Sequence, residues 1–285
     1  MDIIADLHTH STYSDGTNPP AELICMARQQ GLKAIALVDH DTLLGHGEFV
    51  QEARRQGIEA VPGVEISTSV NGLRIHVLGY YVDPSDAALA RLLDALSTAR
   101  TENTRAILNR LGSLGLLSYS WDDVLRRHEG KSWLCSAHVF EAMLEDGLYA
   151  SWDAWPGFYH RYFGKRSPAY LDLNAFAATE AVETILSAGG VPVLAHPRLI
   201  GDDTQIEPLV DHGLLGIEVY YPAHAADDIR RYITLARHYG LIVTGGTDWH
   251  GKMTEWDVEI GQCGVGRGHL EALKTAASQV RRKHG

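Results

Sequence analysis

Residues 5 to 20 read ADLHTHSTYSDGTNPP. His8 and His10 stand one residue apart at the end of an apolar run, and Asp15 follows in the same loop. Neutral imidazoles and carboxylates are the donors a transition metal takes. The same residue types recur at separated points: His40 and Asp41 in VDHDT, Glu65 closing VPGVE, His76 in LRIHVLGYY, His196 in LAHPR, and Asp248 with His250 in GGTDWH. Singly, each has an ordinary explanation. Asp15-Gly16 makes a turn, Asp41 caps a helix, and a histidine inside a strand packs in a core. Jointly they suit Zn, Mn, Fe or Co better than Ca or Mg, which prefer oxygen ligands. So many ligands imply more than one ion. A pair of ions about 3.5–4 Å apart clamps attacking and leaving oxygens and lowers the pKa of a bridging water. Metal-assisted hydrolysis is the chemistry expected.

Elements must bring these residues together. Short apolar runs at 3–7, 33–38, 58–65, 73–81, 191–195, 215–220 and 241–245 read as strands. Amphipathic stretches at 20–30, 42–56, 179–188, 225–239 and 268–281 read as helices, the first opened by Pro19-Pro20. The alternation predicts an α/β fold with a parallel sheet or a barrel. In a β/α barrel the carboxyl ends of the strands converge on one face. Nearly all the residues above fall just past such an end, with Glu65 expected to close the third strand. Residues 99–171 break the pattern: three helical stretches, the third rich in aromatics, and no strand. They are expected to form a helical insertion, leaving 1–98 and 172–285 as the barrel.

Composition narrows the classes. The 285 residues carry a net charge of −11, which disfavours a general nucleic-acid binder, so no stable nucleic-acid complex is expected. No membrane span and no signal peptide are expected. Three well-separated cysteines fit neither a disulfide framework nor a CxxC zinc site, and a cytoplasmic setting is expected. His46, His128, His138, His160, His212, His238, His269 and His284 lie on helices or loops without the strand-end pattern and are read as surface or packing residues.

The motifs HTHSTYSDG, VDHDT, Glu65 with His76, AHPR and TDWH resemble, in order, those of the PHP (polymerase and histidinol phosphatase) domain phosphoesterases, over residues 2–98 and 172–265. That resemblance implies a distorted (β/α)7 barrel holding two or three divalent ions, manganese first, with zinc, iron or cobalt as alternatives. It assigns His8, His10, Glu65 and Asp248 to one ion, Glu65, His76 and His196 to a second, and Asp15, His40 and His250 to a third. A hydroxide bridging the first two ions would attack phosphorus, with Asp248, Arg198 and His224 in the catalytic surroundings. Arg198 would hold phosphoryl oxygens, and His224 would protonate a leaving group or hold a phosphate. The insertion resembles that of the TrpH/YciV-like branch, whose members act on nucleoside 3′,5′-bisphosphates or trim the 5′ ends of short RNA, and would cap the active site. GKSW stands where relatives carry Arg-Pro-His, so Lys131 and Trp133 are the expected contacts to a phosphate and a base. A phosphatase converting a nucleoside 3′,5′-bisphosphate to the nucleotide is the leading expectation. A 5′→3′ exoribonuclease on short RNA comes next, and a histidinol-phosphate phosphatase last. A non-catalytic module and a lysine-bridged amidohydrolase fit less well, because the ligand set is complete and no lysine lies in strands three to seven.

Overall fold

The computed structural model describes residues 2–70, 73–173, 176–254 and 257–284. The chain divides into two compact units, one of Met1–Leu93 with Ala175–Gly285 and one of Asp94–Asn174.

The first unit alternates strands and helices. In chain order it holds β1 (Ala5–Asp6), α1 (Pro20–Gln29), β2 (Ala34–Leu37), α2 (His46–Gln56), β3 (Glu59–Val70), β4 (Leu73–Tyr80) and the start of α3 (Ala87–Ser113). The second unit takes the rest of α3, then α4 (Trp121–Arg127), α5 (Ser136–Glu145) and α6 (Trp155–Phe158), the last running into a single π-helical turn at Tyr159–Phe163. The first unit resumes with β5 (Phe176–Ala177), α7 (Ala178–Ser187), β6 (Val191–Leu194), α8 (Ile206–Asp211), β7 (Gly216–Tyr220), α9 (Ala226–Tyr239), β8 (Ile242–Gly245) and α10 (Arg267–His284).

Seven strands form one path, β1-β2-β3-β4-β6-β7-β8, with β5 added against the far end of β3. Its two edges meet: Leu7 N–H donates to Gly245 O at 3.2 Å, and Thr9 bridges Trp249. The sheet is therefore nearly closed into a barrel. The expected strands are present, but one runs the other way. β4 is antiparallel to both β3 and β6, whereas β1-β2-β3 and β6-β7-β8 are parallel. Two residues separate β3 from β4. Parallel neighbours need a crossover of a dozen or more residues, so a link this short dictates an antiparallel pair.

β3 also outruns the expectation. Its ladder with β2 stops at Leu37↔Pro62, but its ladder with β4 continues to Val70↔Leu73. Glu65 thus lies inside β3 rather than at its end. It still sits level with the strand ends, because His40 bridges directly to it.

The barrel interior is apolar away from the site. Ala5, Leu7, Ala36, Val38, Val61, Leu78, Tyr80, Val193 and Val265 pack with Leu270, Leu273 and Ala277 of α10. Four-residue strands such as β2 and β6 are buried at every position, as strands covered on both faces must be. α1 and α2 close over the outer face of β2 through Leu23, Ile24, Ala27, Phe49 and Ala53. The second unit has its own core of Ile107, Leu111, Val124, Val139, Phe140, Met143, Phe158 and Phe163. Among the described residues, no helix is long and apolar enough to cross a membrane.

Candidate metal centre

Glu65 is the centre of the cluster and is fully buried. Its Oε2 lies 3.2 Å from His8 Nε2, 3.1 Å from His10 Nε2 and 3.3 Å from His40 Nδ1. Its Oε1 lies 2.9 Å from His76 Nδ1 and 3.0 Å from His196 Nε2. Asp248 Oδ1 stands 3.2 Å from both His8 Nε2 and His10 Nε2. Asp15 Oδ1 is 3.3 Å from His250 Nε2, and its Oδ2 is 4.0 Å from His40 Nε2. All nine expected ligands therefore converge at one end of the barrel.

Three overlapping sets have donor atoms within 4.8 Å of one another: His8, His10, Glu65 and Asp248; His10, Asp15, His40 and His250; and His40, Glu65 and His76. The first is the set implied for the first ion. The second adds His10 to the set implied for the third ion. In the last, His40 joins Glu65 and His76, while His196 approaches the same Glu65 oxygen as His76.

The donor set fits divalent ions. Both ring nitrogens of His10 and Asp248 Oδ1 are buried with no well-directed hydrogen bond among the described residues. Buried polar atoms of this kind are rarely left unsatisfied unless something else binds them. Electrostatics agree. Burial works against charge on His8, but Asp248, Glu218 and Glu65 outweigh it and hold the imidazole well above its ordinary value. Burial opposes charge on His250 as well, yet Asp15 and Asp248 push it up to about 10. Burial carries His40 the other way, to about 3, despite Glu65 and Asp15. Burial would raise Glu65, but His40, His8 and His76 keep it well below the carboxylate range. Without ions, protons balance the carboxylates; divalent cations would take their place.

Local structure explains how the loops deliver these groups. Among the described residues, three of the four non-glycine residues at positive φ belong to the site or adjoin it: Asp41 (53°), His196 (26°) and Asp248 (53°). Such conformations cost roughly 1–3 kcal/mol each and persist where surrounding bonds over-determine them. Here Asp41 Oδ1 accepts the Ser67 N–H at 2.8 Å, and the His196 N–H donates to Glu218 Oε2 at 2.8 Å. Two glycines allow close passage. A Cβ on Gly246 would stand 2.4 Å from His8 N, and one on Gly16 would stand 2.3 Å from His10 O.

The residues that support these groups carry no motif of their own. Asp6 accepts the backbone N–H groups of His8, Thr247 and Gly261 and the Thr247 hydroxyl, tying β1 to the loop after β8. Asp39 accepts from the Ser11 N–H and from the Ser11 and Ser14 hydroxyls, all at 2.7 Å, and so shapes the loop carrying His10 and Asp15. Tyr221 donates to Asp248 Oδ2 at 3.1 Å. The available signal was a carboxylate inside an apolar run: Asp6 in IIADL and Glu218 in LGIEVY.

The expected substrate contacts are placed less uniformly. Arg198 is half exposed, with Nη1 donating to Ala223 O and Nε 3.5 Å from Asp228 Oδ2. His224 is buried, its Nδ1 lies 2.8 Å from Val219 O, and its ring neighbours Tyr221. In the second unit, Lys131 is exposed with Nζ 3.4 Å from His138 Nε2. Trp133 requires a correction. Only 3% exposed and edge-on to His138, it has no open face on which a base could stack.

A nearly closed barrel with histidines and carboxylates converging at one end is the architecture of a metal-dependent phosphoesterase. The PHP domain family model matches residues 6–176. The chain is 32% identical over 254 residues to a phosphoribosyl 1,2-cyclic phosphate 1,2-diphosphodiesterase of Eggerthella lenta, covering 88% of this chain and 95% of that protein. It is 30% identical over 273 residues to a 3′,5′-nucleoside bisphosphate phosphatase of Chromobacterium violaceum, covering 94% and 92%. A crystal structure from Bifidobacterium adolescentis, described as a candidate metal-dependent phosphoesterase, superposes with a TM-score of 0.86 at 28% identity and covers 95% of this chain and 96% of that one. The chain belongs to the PHP domain family.

Proposed function

We propose that this phosphoesterase releases phosphate from nucleoside 3′,5′-bisphosphates, giving the nucleotide, with two or three divalent ions, manganese first. The observation that carries the hydrolytic reading is the single buried carboxylate of Glu65 against five imidazoles, flanked by Asp248 and Asp15. The relative of that activity from Chromobacterium violaceum, similar over nearly its whole length, supports the substrate class.

His8, His10, Glu65 and Asp248 would hold one ion, Glu65, His76 and His196 a second, and Asp15, His40 and His250 a third. Divalent ions bound there supply an activated water and neutralise charge on the phosphoryl group. The residues of the chain do the rest. Arg198 offers its remaining N–H groups to phosphoryl oxygens, as a planar guanidinium does well. His224 donates its Nδ1–H to Val219 O, which leaves Nε2 as a buried lone pair with no hydrogen-bond partner among the described residues. Burial also holds this imidazole below its ordinary value. In that form it accepts a hydrogen bond from a substrate hydroxyl more readily than it donates a proton to a leaving oxygen. An acid role for His224 therefore gives way to substrate binding.

The test is phosphate release from a nucleoside 3′,5′-bisphosphate, nucleoside monophosphates, a 5′-phosphorylated short RNA, histidinol phosphate and 5-phosphoribosyl 1,2-cyclic phosphate, with Mn²⁺ or with chelator. The bisphosphate should be the fastest substrate, and chelator should abolish turnover. Faster turnover of the cyclic phosphate would transfer the assignment to the reaction of the Eggerthella relative, and faster turnover of the RNA to an exonuclease. Activity that survives complete chelation would remove the metal-centre reading.

A further inference from the structure

β7 carries none of the nine candidate ligands, yet its one carboxylate lies against two of them. Glu218 is fully buried, with Oε1 3.0 Å from His8 Nδ1 and Oε2 2.8 Å from the backbone N of His196. A peptide N–H can only donate, so Oε2 must accept. An ionised carboxylate accepts at Oε1 as well, which places the His8 ring proton on Nδ1. When the ring gives up its second proton to bind an ion, His8 Nε2 is then the nitrogen left bare, and it is the one that faces Glu65 Oε2 and Asp248 Oδ1, each at 3.2 Å.

Resting on the metal-centre reading above, we infer that Glu218 is a positioning residue that fixes His8 as an Nε2 donor and anchors His196 in its left-handed backbone conformation. One side chain thereby couples a ligand after β1 to a ligand after β6. A carboxylate on the distal nitrogen also makes a ligating imidazole more basic, and loss of such a partner typically lowers metal affinity about 10–100-fold.

The geometry makes Glu218→Gln a discriminating change. An amide has one accepting oxygen and one donating NH₂. The His196 N–H cannot turn away, because it belongs to the backbone, so the amide oxygen must face it. The NH₂ group then points at His8 Nδ1, which can accept only if the ring proton moves to Nε2. That proton occupies the nitrogen that would bind the ion. The shape of the pocket is kept while the donor is blocked.

The experiment is Zn²⁺ and Mn²⁺ binding by wild type and Glu218→Gln, measured by competition with a chromogenic chelator, together with the number of ions retained and the unfolding temperature of the chelated proteins. The expected result is affinity lowered about 10–100-fold at one site, with the chelated variant still folded. Wild type that takes up no divalent ion would remove the metal-centre reading and this one with it. Wild type that binds, beside a folded variant that binds equally well, would remove the role of Glu218 alone. Should the variant not fold, the wild-type chain decides. With ¹⁵N-labelled histidine and Zn²⁺, His8 should show a slowly exchanging proton on Nδ1 and coordination through Nε2. Coordination through Nδ1 would overturn the inference.

Discussion

A carboxylate shared among five imidazoles is sensitive to the loss of a single charge. Glu65 presents Oε2 to His8, His10 and His40, and Oε1 to His76 and His196. In Glu65→Gln one of those oxygens becomes an NH₂ group, which can neither bind a cation nor accept from a protonated ring. Loss of a group merely supporting a ligand costs about 10–100-fold in affinity or activity, so loss of this shared ligand should cost kcat/KM more than about 100-fold. Metal analysis of the purified variant should show fewer ions per chain than wild type, and full occupancy would contradict the assignment. Six of the nine candidate ligands were legible in the sequence because they sit in polar motifs where an apolar strand ends (HTH, DHD, AHP, TDWH), whereas Asp15, Glu65 and His76 drew notice only beside those motifs. Asp6 and Glu218 were marked only as carboxylates inside apolar runs and Tyr221 not at all, because a support is defined by what it touches. Glu218 meets His8 and His196, which lie 210 and 22 residues away. Trp133 was misread for a related reason: side-chain type says what a ring could do, while burial decides whether it is available.

Elements constrain the site through backbone approach. Gly246, just beyond β8, lies so close to His8 that an added Cβ would meet its N at 2.4 Å and its Cβ at 2.5 Å. Both neighbours belong to backbone or to its first side-chain atom, so neither can swing aside. Gly246→Ala should therefore destabilise the chain by about 1–3 kcal/mol, the usual range for overpacking. It should also weaken metal uptake, because His8 must move. Gly57 is the matched control. It ends α2 at φ +69° with nothing within 4 Å of an added Cβ, so Gly57→Ala should cost about 1–2 kcal/mol through backbone strain alone. Metal affinity should stay unchanged there, and chemical unfolding with a chelator competition on each variant separates the two cases. The same level of description shows where sequence pattern stops. Apolar periodicity located the strands on the barrel path, but it has no direction. The reversal of β4 follows from loop length instead, and the five residues by which β3 outruns Glu65 follow from pairing with β4.

Across the whole molecule, metal loading, protonation and stability are one linked equilibrium. In the metal-free chain His8 is held well above its ordinary value and His250 near 10, so both carry protons at neutral pH. The stability those protonated rings lend is complete below the unfolded value of 6.5 and is lost as pH rises, for His250 through about 10. Divalent ions must displace those protons, so loading at pH 7 should release protons. Titration calorimetry in buffers of different ionisation enthalpy would detect that release. An ion that binds only the folded chain stabilises it by about 2.7 kcal/mol at one hundred times Kd, and its affinity rises with pH as ring protons become easier to remove. Away from the ligands, burial keeps His46 and His269 below the ordinary imidazole value. They stay neutral in the folded chain where the unfolded chain takes up a proton, so their contribution is full above about pH 6.5 and falls away below it. These signs combine into one expectation. The rise in unfolding temperature produced by Mn²⁺ should be larger at pH 8 than at pH 6, and the loaded protein should lose stability steadily as pH drops below about 6.5. Thermal scans with and without chelator across that range test it. A metal-induced shift that stayed constant, or shrank as pH rose, would mean that the ions do not compete with protons at His8 and His250.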